Sequence, residues 1–176
     1  MLDTNWKDQY KRMQRAFDLL KQAADETSTP HIDPRDVLTD FCAEVLSLMY
    51  WVQKSTGTAD PRGLVFKNRQ SADWSVAIAI CADIANGAKH HGNTQTSAVT
   101  AEKSGWADIK EQRIRKKMAQ TWGTQRTVPG YSTVAWTLEA DGIEYDALTV
   151  ATQAVDDWDT WLAANGFRIP PPPVTW

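Results

Sequence analysis

One run constrains the fold of this chain more than any other: residues 74–93, WSVAIAICADIANGAKHHGN. It is almost continuously apolar and then closes on Asn86, Lys89 and two adjacent histidines. The pattern predicts a helix over 74–91, with Ser71 or Asp73 as its cap and Gly92 at the left-handed stop position. At 100° per residue, His90 falls about 20° from Asp83 and Asn86 about 60° from it. The main apolar arc, with Trp74, Ala77, Ile80, Cys81, Ile84 and Ala88, is centred nearly opposite. Asp83, Asn86 and His90 therefore form one polar strip, which Val76 and Ala79 extend toward the N-terminus. A strip with apolar neighbours needs cover, either from another element or from a second copy of the chain. Lys89 points nearer the outer side and His91 nearer the core.

The other helices are read from their period. Trp6, Tyr10, Met13, Phe17 and Leu20 recur in steps of four and three, which places them on one stripe of a first helix. After a polar connector, Asp33-Pro34 starts a second helix, with Asp as N-cap and Pro at the first helical position. Val37, Phe41, Val45, Leu48 and Val52 form its stripe. Leu38, Cys42, Met49 and Trp51 widen it, so this helix is expected to be buried on more than one side. A long connection punctuated by Gly57, Pro61 and Gly63 follows, with a short helical turn near Val65.

Residues 93–125 are polar. Trp106, Ile109, Arg113 and Lys117 keep helical spacing there and predict a helix with its basic groups outward. From Thr127 the period changes to that of a strand. Two runs flank Asp141-Gly142, a strong two-residue hairpin signal. A last helix is expected over 151–164, with Val155, Trp158 and Leu162 inward and Asn165-Gly166 as its stop. The tail, RIPPPPVTW, carries four consecutive prolines and must be extended. The fold class read from these elements is α+β, mainly α: an up-and-down helical bundle with a C-terminal β-hairpin packed on it. The chain's 176 residues suffice for one domain with a real core.

Several function classes find no support. The N-terminus is polar from its third residue and lacks the apolar stretch of a signal peptide. The longest apolar run is too short to span a bilayer. We therefore expect a cytoplasmic protein without a membrane role. Cys42 and Cys81 both fall in apolar helical patterns and suit small core residues better than a disulfide framework. No cofactor is implied: P-loop, dinucleotide-binding and nucleophile-elbow patterns are absent from the sequence. No metal site is expected, because Asp83 and His90 lie about 10 Å apart along a helix axis.

The strip has two readings. In one, Asp83 fixes the tautomer of His90 and raises its pKa, Asn86 donates to an oxyanion or phosphate, and His90 is a general acid or base. In the other, Lys89 and His90 complement the helix dipole and Asp83 is an internal hydrogen-bond partner that fixes how two helices dock.

The run DIANGAKHH, preceded by DFCAEVLSLMYWV and followed by a hairpin and a Trp-bearing helix, resembles HEPN-like proteins, helical-bundle proteins of prokaryotes and their phages. The likeness is to uncharacterised members with an N-x-x-K-H pattern. It implies one HEPN-like helical domain over 1–167, followed by the proline-rich tail 168–176. Better-known HEPN members are metal-independent ribonucleases whose motif joins an Arg and a His on one helix, with two copies meeting across a dimer. By that resemblance His90 stands for the motif His and Asn86 for the polar residue inside the motif. The Arg has no counterpart, since Asp83, Ile84 and Ala85 occupy its positions. A homodimer through the third helix is the implied assembly.

The net charge of −3 conceals an asymmetry. Lys103, Lys110, Arg113, Arg115, Lys116, Lys117 and Arg126 face only Asp108 and Glu111 in their stretch. Residues 139–159 hold seven acidic groups and neither Lys nor Arg. With Trp106 and Trp122 nearby, the basic stretch suits single-stranded nucleic acid through phosphate contacts and stacking. It suits better a solvated face, or one that answers the acidic helix of the same protein or its partner. Two functions follow. The first is a non-enzymatic interaction protein, a homodimer in a prokaryotic or phage stress or defence setting, with a protein partner. The second is a metal-independent endoribonuclease or RNA-binding protein. There Asp83, Asn86 and His90 are the catalytic candidates, and Lys89, Arg113, Arg115, Lys116 and Lys117 hold RNA.

Overall fold

Trp6, Tyr10, Met13 and Leu20 are buried along one side of helix α1 (Trp6–Ala24), with Phe17 half-buried beside them. This is the stripe that the four-and-three spacing predicts. The computed structural model of the chain describes residues 5–24, 33–56, 59–90, 96–117 and 131–171. Helix α2 (Pro34–Thr56) buries Val37, Phe41, Val45, Leu48 and Val52, and also Leu38, Cys42, Leu46 and Met49. It therefore has two buried sides, as its wide apolar surface requires. The Asp33 carboxylate accepts the Arg35 N–H at 2.9 Å and opens the helix. α1 packs on α2, with Gln9 on α1 donating to the Glu44 carbonyl (3.3 Å) and to the Glu44 carboxylate.

A four-residue helix, α3 (Arg62–Val65), lies where a turn near Val65 is expected, and a 3-10 turn follows at Lys67–Arg69. The long apolar helix is α4 (Val76–His90), packed between α2 and α5 (Ala147–Ala164). Its cap is neither Ser71 nor Asp73. Ser75 takes that role: its hydroxyl oxygen accepts the Ile78 N–H at 3.1 Å and its O–H donates to Asp157 on α5. Ser75 wins because the same hydroxyl that ends the backbone deficit also ties α4 to α5. Gly92 and His91 lie outside the described residues.

Cys42 and Cys81 are both buried free thiols, brought together where α2 meets α4. The hydrogen bond with Cys81, and then burial, push the Cys42 thiol well above its usual range. They are core residues, as their apolar context suggests.

The sheet is antiparallel, in the order β1 (Asp108–Lys117), β2 (Tyr131–Ala140), β3 (Ile143–Asp146). β2 and β3 form the expected hairpin. Asp141 and Gly142 both have positive φ, 52° and 74°, as a two-residue turn of the favoured hand requires. β1 is a correction. Asp108–Lys117 of the polar stretch is a strand where a helix was expected, and it pairs with β2 from Asp108↔Glu139 to Lys117↔Tyr131. Trp106 and Ile109 were too few apolar points to define a period. Ile114 pairs with Val134 and Gln112 with Trp136, contacts that only the distant strand reveals.

The helix α5 also begins earlier than expected. The Asp146 carboxylate caps it, accepting from the Thr149 N–H and hydroxyl, both at 2.9 Å. The stop at Asn165-Gly166 holds: Gly166 has φ 79°, and the Phe167 N–H returns to the Leu162 carbonyl at 2.9 Å. Phe167 then stacks on Trp161 and meets Trp6 edge-on, which docks the start of the tail. Residues 172–176 lie outside the described residues.

The molecule is thus mainly helical with a small three-stranded antiparallel sheet. β3 covers only Thr137 to Ala140 of β2. From Tyr131 to Trp136, β2 pairs only with β1 among the described residues, so that part of the sheet is a two-stranded ribbon. Among the described residues no helix is long and apolar enough to cross a membrane.

Candidate functional site

Asp83 is fully buried, and the group that fills the space beside it is the segment 96–107 of the same chain. The Ser97 hydroxyl donates to Asp83 Oδ2 at 2.6 Å, the Ala98 N–H to Oδ1 at 2.6 Å, and the Ala107 N–H to Oδ2 at 3.3 Å. The Ser97 oxygen also accepts the N–H groups of Val99 and Thr100, both at 3.1 Å. The Ala98 carbonyl accepts the Lys67 N–H at 3.1 Å. One carboxylate thereby folds a turn onto α4 and ties it to the 3-10 turn before α4. Burial pushes the Asp83 carboxyl above its ordinary range, and the hydrogen bonds it accepts pull more weakly the other way.

The polar strip is therefore covered at Asp83 and Ala79 by the chain itself. Asn86, about one turn further on, is half-buried. Lys89 and His90 are the last residues of α4, and their side chains lie outside the described residues. Both Asp83 oxygens already accept from the 96–107 segment. Asp83 and Asn86 are thus placed on one helix as expected, with the carboxylate serving a turn that the sequence reading did not foresee.

The basic residues Arg113, Arg115, Lys116 and Lys117 lie in β1, where the backbone is described and the side chains are not. They form one continuous strand with Lys110, which sits at a register shift between Ile109 and Glu111. That strand is at the edge of the sheet.

At the root of β1 lies a cleft of about 520 Å³. Ile84, Gly87 and Ala88 of α4 form one wall, and Trp106, Ala107 and Ile109 another. Arg35 and Thr39 of α2 and Asp108 and Lys110 of β1 also line it. The Arg35 side chain has no carboxylate within 4.0 Å among the described residues, while the Lys110 ammonium is 3.7 Å from Asp108. Of the lining residues, sequence reasoning had singled out Trp106 and Lys110 for their neighbourhood to the basic run. Arg35 carried no signal, because only the fold of β1 as a strand brings it near.

Four buried indole N–H groups have no acceptor among the described residues: those of Trp74, Trp106, Trp136 and Trp158. Trp158 is in the core. Trp106 lines the large cleft, and Trp74 lines a second one of about 180 Å³ together with Asp157, Trp161 and Asn165. Asp157 there already accepts from Ser75 and from Gln153 at 2.7 Å.

No group of three His, Cys, Asp or Glu side chains among the described residues is arranged to hold a metal ion. Compared with protein-family models, with curated proteins and with solved structures, the chain has no match.

Proposed function

We propose that this chain is a non-enzymatic binding protein whose ligand is single-stranded nucleic acid, RNA first, held along β1. One observation carries the reading: Lys110, Arg113, Arg115, Lys116 and Lys117 lie in a single edge strand of ten residues, opposed within it only by Asp108 and Glu111. Alternate residues of a strand are about 6.7 Å apart. Arg113, Arg115 and Lys117 therefore repeat at a spacing of the order of successive phosphates in an extended single strand. The helical body, read as an up-and-down bundle, serves as the scaffold. A prokaryotic or phage defence setting rests on the HEPN resemblance alone.

The test is fluorescence anisotropy of a labelled single-stranded RNA over a salt series. Four engaged cations, Lys110 with Arg113, Arg115 and Lys117, give a log–log slope of roughly −2.8, an affinity loss of about 50-fold between 50 and 200 mM salt. Exchanging Arg113→Glu and Arg115→Glu together removes most of the binding. Wild-type protein that shows no salt-dependent binding defeats the proposal.

A second reading draws on α4, whose last residue, His90, follows the cleft-lining Ala88 by two positions. There His90 with Asn86 makes a metal-independent ribonuclease, paired as a homodimer through α4, and Asp83, spent on the 96–107 turn, holds the helix rather than the imidazole. RNA incubated in chelator separates the two: cleavage by wild type and not by His90→Ala replaces the first reading with the second. Light scattering reports whether two copies associate.

A further inference from the structure

The cleft at the root of β1 combines three features that bear on a ligand. Its size, about 520 Å³, lies in the range of small-molecule sites. Its walls at Ile84, Ala88 and Ile109 are apolar, and a tryptophan closes it at Trp106. Two cationic side chains of different elements, Arg35 of α2 and Lys110 of β1, line it as well. Trp106 adds a buried indole N–H with no acceptor among the described residues. Buried donors are nearly always paired, so this one calls for an acceptor. The core indole of Trp158 shows that an unpaired N–H alone is not a site. What distinguishes Trp106 is that it lines a cleft with cations on two other walls.

We infer that this cleft receives one unstacked base of a single-stranded nucleic acid, with the adjoining phosphate held by Arg35 and Lys110. The inference deepens the proposed function and rests on it. The apolar side chains of Ile84, Ala88 and Ile109 suit a base face, and Trp106 offers a stacking surface or, through its N–H, a donor to a ring nitrogen or carbonyl. Asp108, whose Oδ1 accepts the Ile109 N–H at 2.8 Å, gives an acceptor for an exocyclic amino group. Lys110 belongs both to the cleft and to the basic strand, so a chain leaving the cleft runs onto β1 without a gap. A base within a duplex cannot enter, because it is stacked and paired. The cleft thereby converts a general attraction for phosphate into a preference for single strands.

The experiment uses the full chain, a labelled single-stranded RNA and the duplex of the same sequence. Ala88 is exposed on α4, so Ala88→Phe fills the cleft from a position that the core does not use. Wild type is expected to prefer the single strand. Ala88→Phe loses about 10-fold in single-strand affinity, the worth of one stacked base, and keeps its duplex affinity. Should Ala88→Phe fail to fold, Arg35→Gln at its exposed position gives the same selective loss. An unchanged single-strand affinity, or an equal loss for both forms, overturns the cleft while leaving the strand β1 reading intact. Wild type that binds neither form overturns both.

Discussion

Asp83 is buried against the segment 96–107 and the Trp106 indole N–H is buried within it, and the two polar groups fare in opposite ways. The Asp83 carboxylate takes a hydroxyl and two backbone N–H groups, so that both of its oxygens are used. The Trp106 N–H, one residue before Ala107, has no acceptor among the described residues. A buried carboxylate met by three donors is a fixed joint, because any rearrangement leaves several groups unpaired at once. An unpaired donor lining a cleft is open to a ligand. Residue type alone would have pointed the other way, since a carboxylate near a histidine looks like chemistry and a tryptophan looks like core.

The largest effect that would break this comparison is at the joint. Asp83→Ala strips the acceptor from Ser97, Ala98 and Ala107 and should cost about 3 kcal/mol or more in urea unfolding. A cost below about 1 kcal/mol would mean that the turn does not depend on Asp83. The pH dependence sharpens the point. Burial holds the proton on Asp83 more tightly in the folded chain than in the unfolded one. The folded state therefore binds more protons just above the ordinary carboxylate range, and stability from this group is full in acid and declines as pH rises through the raised value. The stability difference between wild type and Asp83→Asn should narrow as unfolding is repeated from about pH 4 to 7. Asp159, also raised by burial, shifts both proteins alike and cancels.

Next in size is Gly105, which closes the same segment. Its φ is 71°, and an added Cβ would lie 2.5 Å from Thr100 Cγ2 and 3.0 Å from Asp141 Oδ1. Gly105→Ala should cost about 2 kcal/mol, read from the thermal midpoint. A smaller loss is expected away from the segment. Tyr10→Phe removes the 2.7 Å hydrogen bond to Asp159 and should cost about 1–2 kcal/mol by urea unfolding. Least of all, Arg35→Ala should leave stability within about 0.5 kcal/mol while weakening single-strand binding. If Arg35→Ala destabilised the fold as Asp83→Ala does, the contrast between joint and cleft would vanish.

The helices were legible because each carries enough apolar points to define a period. Five residues from Trp6 to Leu20 settle α1, and five from Val37 to Val52 settle α2. The Asp141-Gly142 turn was legible because its backbone demands those residues. β1 was not legible, since Ile109 and Ile114 acquire their partners from β2 across a chain separation that no local pattern records. The same failure hid Arg35 from Lys110. For the site, the placement of Asp83 and Asn86 on one face of a helix was readable from geometry. The identity of Asp83's partners was not, because Ser97, Ala98 and Ala107 reach it through a turn that no local period marks.

The most direct measurement is a proton–nitrogen NMR titration of the labelled chain with a single-stranded oligonucleotide. The account predicts shifts of the Trp106 indole and of the backbone amides of Ala88, Ile109, Lys110 and residues 113–117, with the amides of Ala98 and Val99 unmoved. Shifts centred on Ala98 and Val99, or none at Trp106 and along β1, would contradict it.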